Sequence, residues 1–369
     1  MVVCPPMCHD GQARASTPRR RVDEQTASTE RGNGNRKPPA TIYDIARLTG
    51  VSASTVSRAL NKPGRINVRT ERRIRDAAES LGYRINPMAR ALPTGRTGTL
   101  ALLVSDITNP VYFDLVRGAE RVASATDHTL VFAESQESAE IELSTAERLQ
   151  PAVDGVLLVA SRLSDEQIFE LSATKPLVLA NRRVGEIPAV VPDVTPGIIE
   201  ALDHLKQLGH RSIGYLAGPE ASWMNRARWD ALFENAVGRG LSIVEITAAA
   251  PTVDGGASAL RRVVASGVTA VITYNDLMGL GLMRACRAEG IGVPERLSII
   301  GFDDIFGSDL TTPALTTIRS PLAAIGEAAM RRLLAEVRDD LDADAEPPLP
   351  TEFVLRESTG APTAGSPEA

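Results

Sequence analysis

Between residues 99 and 304 the sequence alternates short apolar runs with longer amphipathic stretches, and nothing else in the chain constrains the fold as strongly. A first group of runs reads TLALLVSDI, LVFAES, GVLLVA and PLVLAN; a second reads SIGYLAG, IVEITA, AVITYN and LSIIGFDD. Helices are predicted in between, for example over Val111 to Ala125 and Asp276 to Glu289. Repeated strand-helix units build parallel sheets with helices on both faces. The two groups meet near residues 182 to 192, so the chain should form two doubly wound parallel-sheet subdomains with a ligand cleft at the strand ends.

Upstream the pattern changes to short helices. In TIYDIARLTG, Thr41 with Asp44 three residues on resembles a capping box, and Ile45 and Leu48 make an apolar face that ends at Gly50. The chain turns through Val51 and Ser52 and restarts as VSASTVSRALN, where Val56 and Leu60 share one face and Ser54, Thr55, Ser57 and Arg58 point elsewhere. Ser52 is placed to cap this second helix. Short hydroxyl side chains let a helix approach a partner closely and still hydrogen-bond it. A third helix follows from NVRTERRIRDAAESLGY, with Ile74, Ala77, Ala78 and Leu81 on its core face. Two short helices around a glycine turn are the helix-turn-helix layout, whose second helix enters the DNA major groove.

Charge supports a polyanion for this end. Residues 41 to 92 carry ten Lys and Arg against four acids, a net +6, while residues 93 to 369 carry −15 of the chain's −6 total once the +3 of residues 1 to 40 is included. A small basic module is thus joined to a large acidic one. Residues 1 to 40, rich in Arg, Ser, Thr, Pro and Gly, are expected to be a disordered leader. No apolar run reaches membrane-spanning length and the start lacks the hydrophobic region of a signal peptide, which places the chain in the cytoplasm. Cys4, Cys8 and Cys286 imply no disulfide framework, and CPPMCH at residues 4 to 9 has no matching second ligand pair, so neither metal nor cofactor is expected.

The ordered series TIYDIARLTGVSASTVSRALN, LGYRINPMARAL and TGRTGTLALLVSDITNP resembles the lactose/galactose-repressor (LacI/GalR) family, and the resemblance runs to about residue 358. It implies an all-α helix-turn-helix head over residues 41–85, a hinge helix and linker over 86–98, an effector-binding and dimerisation core of periplasmic-binding-protein-like type over 99–358, and a flexible tail over 359–369. Ala53 and Ser54 then match positions that vary with operator sequence. Tyr43, Ser52, Thr55, Ser57, Arg58 and Asn61 match contacts to bases or phosphates, with Arg58 suited to a bidentate bond to guanine. In NPMARAL, Asn86 and Ala89 belong to the hinge, and Leu92 matches a leucine that wedges a base step open. Pro93 departs from the commoner Arg or Lys there.

For the core, the resemblance and the strand ends together nominate Asp106, Asn109, Tyr112, Phe113, Asn181, Trp223, Arg228 and Asp276 as effector-binding residues. Arg228 and Asp276 are the pair matched to typical ligand contacts, and Trp223 or Tyr112 could stack on a sugar or base. Duller readings stand beside these: Phe113 as core, Asn109 and Asp276 as helix caps. Ala231 replaces a usual Gly near Arg228. The implied partners are a roughly palindromic double-stranded operator, a sugar or sugar phosphate effector, and a second copy of the chain; the tail STGAPTAGSPEA has no heptad pattern that would make a tetramer.

An enzyme and a transport binding protein share such sheets. GLGLMR at residues 279 to 284 mimics part of a dinucleotide fingerprint, but Arg284 stands where the last Gly belongs and the segment lies inside a helix. No nucleophile elbow or phosphate loop is present, and a transport protein would need an export signal and no DNA head.

Overall fold

The computed structural model describes residues 40–61, 64–83, 96–340 and 348–363, which fall into two compact units divided at residues 84 and 85. The N-terminal unit holds α1 (Ile42–Thr49), α2 (Ala53–Asn61) and α3 (Val68–Ser80). Asp44 reaches back to accept from the Thr41 amide and hydroxyl at 2.9 and 2.7 Å, and Gly50 ends α1 at φ 65, a left-handed conformation that glycine adopts without strain. Asn67 caps α3 by accepting from the Arg69 amide. Ile45, Val56, Ala59, Ile74, Ala77 and Ala78 form the core, with Leu60 packed at its edge. Two expected core residues lie outside: Leu48 is 59% exposed and Leu81 38%. Thr49 takes the inward place on α1, its hydroxyl bonded to the Ile45 carbonyl, and its own carbonyl accepts from Arg73 of α3.

The larger unit contains two lobes. The first lobe's sheet has the order β2-β1-β3-β4-β5, all parallel, from β1 (Thr99–Val104), β2 (Thr129–Glu134), β3 (Gly155–Val159), β4 (Leu177–Ala180) and β5 (Ala189–Val190). Strand periodicity splits β1 between two cores: Leu100, Leu102 and Val104 pack towards α4 (Val111–Ala125), whereas Ala101 and Leu103 pack towards α5 (Ala139–Leu149) and α6 (Asp165–Ser172).

The second lobe repeats the plan. Its strands are β6 (Ser212–Ala217), β7 (Ser242–Thr247), β8 (Ala270–Thr273), β9 (Ser298–Asp303), β10 (Thr316–Arg319) and the antiparallel edge strand β11 (Glu352–Val354), in the order β11-β10-β9-β8-β6-β7. Its helices are α7 (Thr195–Gln207), α8 (Trp223–Val237), α9 (Val253–Ser258), α10 (Leu260–Ala265) and α11 (Asp276–Ala288).

The two groups of strands meet near residues 182 to 192, as read from the sequence, but the chain passes between the lobes three times. The chain leaves β5 for α7, returns after β10 to place α12 (Leu322–Arg338) on the first lobe, and passes back to β11. The first and third passages hydrogen-bond to each other, Asp193 N to Leu349 O and Thr351 N to Asp193 O. Burial explains the return. Leu322, Ile325, Met330, Leu333 and Leu334 join the first lobe's core, each worth about 1.5–3 kcal/mol. Gly118 of α4 and Gly326 of α12 let the helices touch: a Cβ on Gly326 would lie 2.0 Å from the Leu115 carbonyl oxygen, and one on Gly118 2.1 Å from that of Ala323. The expected flexible tail also begins too early, because His210 and Ser298 bind Gly360 and hold residues 359–360 against the second lobe.

Candidate functional sites: a helix face and an interlobe cleft

On the N-terminal unit, α2 opens with a knot of hydroxyls. Ser52 Oγ accepts from the Thr55 amide and lies 2.9 Å from Ser54 Oγ and 2.8 Å from Thr55 Oγ1. Val56 and Ala59 turn inward, which leaves Ser52, Ser54 and Arg58 exposed and Ala53, Thr55 and Ser57 half-buried. Among the described residues no carboxylate pairs with Arg58. Tyr43, 67% exposed, stands on α1, and Asn61 is the last residue of α2. Ser52, Ser54, Thr55, Ser57 and Arg58 thus share the side of α2 turned away from the core, with Tyr43 exposed on α1; the Asn61 side chain and Asn86, Ala89 and Leu92 lie outside the described residues.

In the core, the strand order of each lobe fixes where a ligand can sit. A 2-1-3-4-5 order reverses direction between its first and third strands, and the crevice outside those strand ends is the natural binding place. In the first lobe this point lies between the ends of β1 and β3, at Ser105 and at Ala160 to Arg162. In the second it lies between β6 and β8, at Gly218 and Tyr274.

Arg228 reaches the second of these points from α8. Only 5% exposed, it donates from Nη1 to the Tyr274 carbonyl and from Nη2 to Asp303 Oδ1 at 2.6 Å, and its guanidinium lies 3.8 Å from the Phe302 ring centroid. Burial pulls its pKa down, but the Asp303 carboxylate with Tyr274 and Tyr215 outweighs this and keeps it cationic. Its Nε is buried and has no hydrogen-bond partner among the described residues. Ser222, which caps α8, also holds the Tyr274 hydroxyl at 3.0 Å. Trp223, half-buried, opens the same helix and packs against the second lobe's core.

The first lobe faces this with Tyr112, Arg162 and Glu137. Tyr112 is buried, its hydroxyl 2.6 Å from Ser105 Oγ, and burial pushes its phenol far above the ordinary range. Arg162 donates from Nε to Glu137 at 2.7 Å and from Nη1 to the Ala160 carbonyl. Tyr274 acts electrostatically on both Tyr112 and Arg162, so the two walls are within reach of each other. Among the described residues, Asn181 Oδ1, at φ 60 after β4, and Ser135 Oγ, after β2, are buried with no hydrogen-bond partner.

Four nominated residues stand elsewhere or do other work. Asp276 is fully buried; its carboxylate accepts from the Ile305 amide, Ser308 Oγ and Thr317 Oγ1, which braces the loop after β9, and burial raises its pKa to about 7. The cap of α11 is Asn275. Asp303, not Asp276, is the carboxylate beside Arg228. Asp106 folds its own turn by accepting from the Thr108 amide and hydroxyl, and Asn109 accepts from the Val111 amide at the start of α4. Phe113, 48% exposed, lines a separate cavity of about 450 Å³ with Asp304, Phe306 and Arg319. Asp303, Glu137, Arg162 and Tyr274 were not nominated. Asp303 had a signal, since it ends an apolar strand in LSIIGFDD; the Glu137–Arg162 pair is 25 residues apart and had none.

Comparison with known proteins matches these two parts separately. Residues 41–86 match the family model described as bacterial regulatory proteins, lacI family, and residues 202–359 the periplasmic binding protein-like domain. The HTH-type transcriptional repressor CytR of Escherichia coli (strain K12) is 31% identical over 334 residues, which cover 87% of this chain and 97% of that protein. Among solved structures, the lac repressor dimer bound to operator and the anti-inducer ONPF superposes with a TM-score of 0.78 at 24% identity, covering 88% of this chain and 100% of that one. A transcriptional regulator CelR–cellobiose complex superposes with a TM-score of 0.63 at 28% identity, covering 86% and 99%. With its helix-turn-helix head and its two-lobed core, the chain belongs to the lacI family of bacterial regulatory proteins, as a DNA-binding transcriptional regulator that responds to a ligand.

Proposed function

We propose that the chain is a cytoplasmic homodimeric repressor of carbohydrate-related genes, not an enzyme, which releases or grips a roughly palindromic operator when a small sugar enters the cleft. The observation that carries this reading is the pairing, in one chain, of an exposed hydroxyl-and-arginine helix face with a buried arginine nitrogen that has no partner among the described residues at a switch point. Ala53 and Ser54 set operator preference, Arg58 reads a base, and Tyr43, Ser52, Thr55, Ser57 and Asn61 position the backbone. In NPMARAL at residues 86–92, outside the described residues, the sequence offers Leu92 as an apolar wedge for a minor-groove base step. CytR is a repressor by name and CelR was solved with cellobiose, which favours a repressor with a saccharide effector. No helix among the described residues is long and apolar enough to cross a membrane.

Mobility-shift assays with random-site selection, repeated with and without a carbohydrate panel, test the reading. A palindromic consensus whose affinity changes about 5–150-fold with one sugar is the expected outcome, corresponding to a coupling of about 1–3 kcal/mol. Arg228→Ala should abolish the sugar response and spare ligand-free DNA binding. Failure to select any consensus, or a sugar response that survives Arg228→Ala, refutes it.

A further inference from the structure

Three arginines that follow or reach the switch-point strands are each matched by a carboxylate. Arg228 is paired with Asp303 at 2.6 Å, Arg162 with Glu137 at 2.7 Å, and Arg182, behind the end of β4, with Asp165 at 2.7 Å. The Arg162 amide in addition binds Glu142, a carboxylate only 2% exposed. A phosphate ester brings a charge near −2 and oxygens that only accept; it needs an uncompensated cation or a row of free N–H groups. Among the described residues, the buried side-chain polar atoms left without partners are mixed in kind: a donor at Arg228 Nε, an acceptor at Asn181 Oδ1 and a hydroxyl at Ser135. Hydroxyl groups, which donate and accept, satisfy that mixture, whereas phosphate oxygens would meet the Asn181 carbonyl and the Glu137 carboxylate with repulsion.

We propose that the cleft takes a neutral, polyhydroxylated ligand, a saccharide without phosphate, and that Glu137 sets this selectivity by occupying Arg162; the proposal rests on the reading of the cleft as the effector site. The backbone is bent to put Glu137 there. Gln136 and Glu137 hold φ values of 53 and 59, two consecutive side-chain-bearing residues in the left-handed region, a costly arrangement that persists only where its surroundings enforce it. Ser138 and Glu137 are pinned through their amides to Ser135 and to Ser105 at the switch point. The Glu137 side chain is 30% exposed and that of Arg162 only 6%, so the carboxylate is the more accessible member of the pair to an incoming ligand.

Titration calorimetry and thermal shift on the full chain test this with matched pairs: glucose and glucose 6-phosphate, ribose and ribose 5-phosphate, galactose and galactose 1-phosphate, with cellobiose and inorganic phosphate alongside. The parent should bind a neutral member at least about tenfold more tightly than its ester and ignore inorganic phosphate; Glu137→Gln should move that ratio towards the ester by about tenfold or more, because a desolvated arginine regains a free donor. The parent's own preference needs no variant, so a folding defect in Glu137→Gln would not rescue the idea. A parent that prefers the ester, or a ratio unmoved by Glu137→Gln, overturns the proposal while leaving the effector site standing. Binding of neither member of any pair, or binding that survives Arg228→Ala, overturns the effector site itself and the proposal with it.

Discussion

Replacing Asp303 with alanine should destabilise the core by about 3–5 kcal/mol, because it strands a charge that has nowhere to go. The Arg228 guanidinium and the Asp303 carboxylate meet at 2.6 Å with side chains each 6% exposed, and arginine cannot escape by losing its proton. Two supports remain in the variant, the Tyr274 carbonyl and the Phe302 ring beneath the guanidinium, which favour the lower end of that range. At about 2–4 °C per kcal/mol for a unit of this size, the midpoint should fall by roughly 6–20 °C. Both tryptophans of the chain, Trp223 and Trp229, flank Arg228 on α8, so their fluorescence follows this region directly in urea or heat. The decisive control is the double variant Arg228→Met/Asp303→Leu. Removing both charges should recover most of the loss, leaving a deficit of about 1–2 kcal/mol from the Ser320 hydroxyl that Asp303 also accepts. If the double variant melts as early as Asp303→Ala, or if Asp303→Ala melts within about 1 kcal/mol of the parent, the stranded-charge argument is wrong.

Other outcomes follow from the same structure. Arg58→Ala should cost about 1–3 kcal/mol of operator affinity and relax base preference at one position, read by competition binding, while the parent's affinity falls steeply with salt. Gly326→Ala, which drives a methyl to 2.0 Å from the Leu115 carbonyl, should lose about 1–3 kcal/mol or more by chemical denaturation as α4 and α12 are forced apart. His210 binds Thr269 and Gly360 through its two ring nitrogens, and burial, partly offset by the Gly360 carbonyl, lowers its pKa below 6.5. The unfolded chain therefore takes up the proton first: the contribution is intact above pH about 6.5 and is lost as pH falls towards the folded value, so urea midpoints should drop from pH 7 to pH 5 and His210→Gln should flatten that slope.

What the chain spells out locally was legible without coordinates. Hydrophobic period and helix signals are properties of neighbouring residues, so the helix over Val111–Ala125, the turn at Gly50, the cap at Ser52 and all eight quoted strands are written in single windows of sequence. The exposed face of α2 followed for the same reason, because the residues that turn in, Val56 among them, are read from the same few positions. Leu48 and Leu81 show the limit. A three-helix core of this size has room for few large side chains, and which apolar residues it leaves outside depends on how α1 and α3 meet.

Only the tertiary structure decided the cleft. Arg228 and Asp303 are 75 residues apart and Glu137 and Arg162 25 apart, and nothing in a local window distinguishes Asp303 from Asp276 as the partner of an arginine. The choice comes from geometry: Asp276 opens α11 beneath the loop after β9 and is consumed by Ile305, Ser308 and Thr317, while Asp303, at the end of its strand and at φ 102, faces Arg228. The three passages between lobes were hidden for a related reason. An amphipathic helix such as α12 states that it must bury one face, and only packing decides which of two similar sheets supplies the surface.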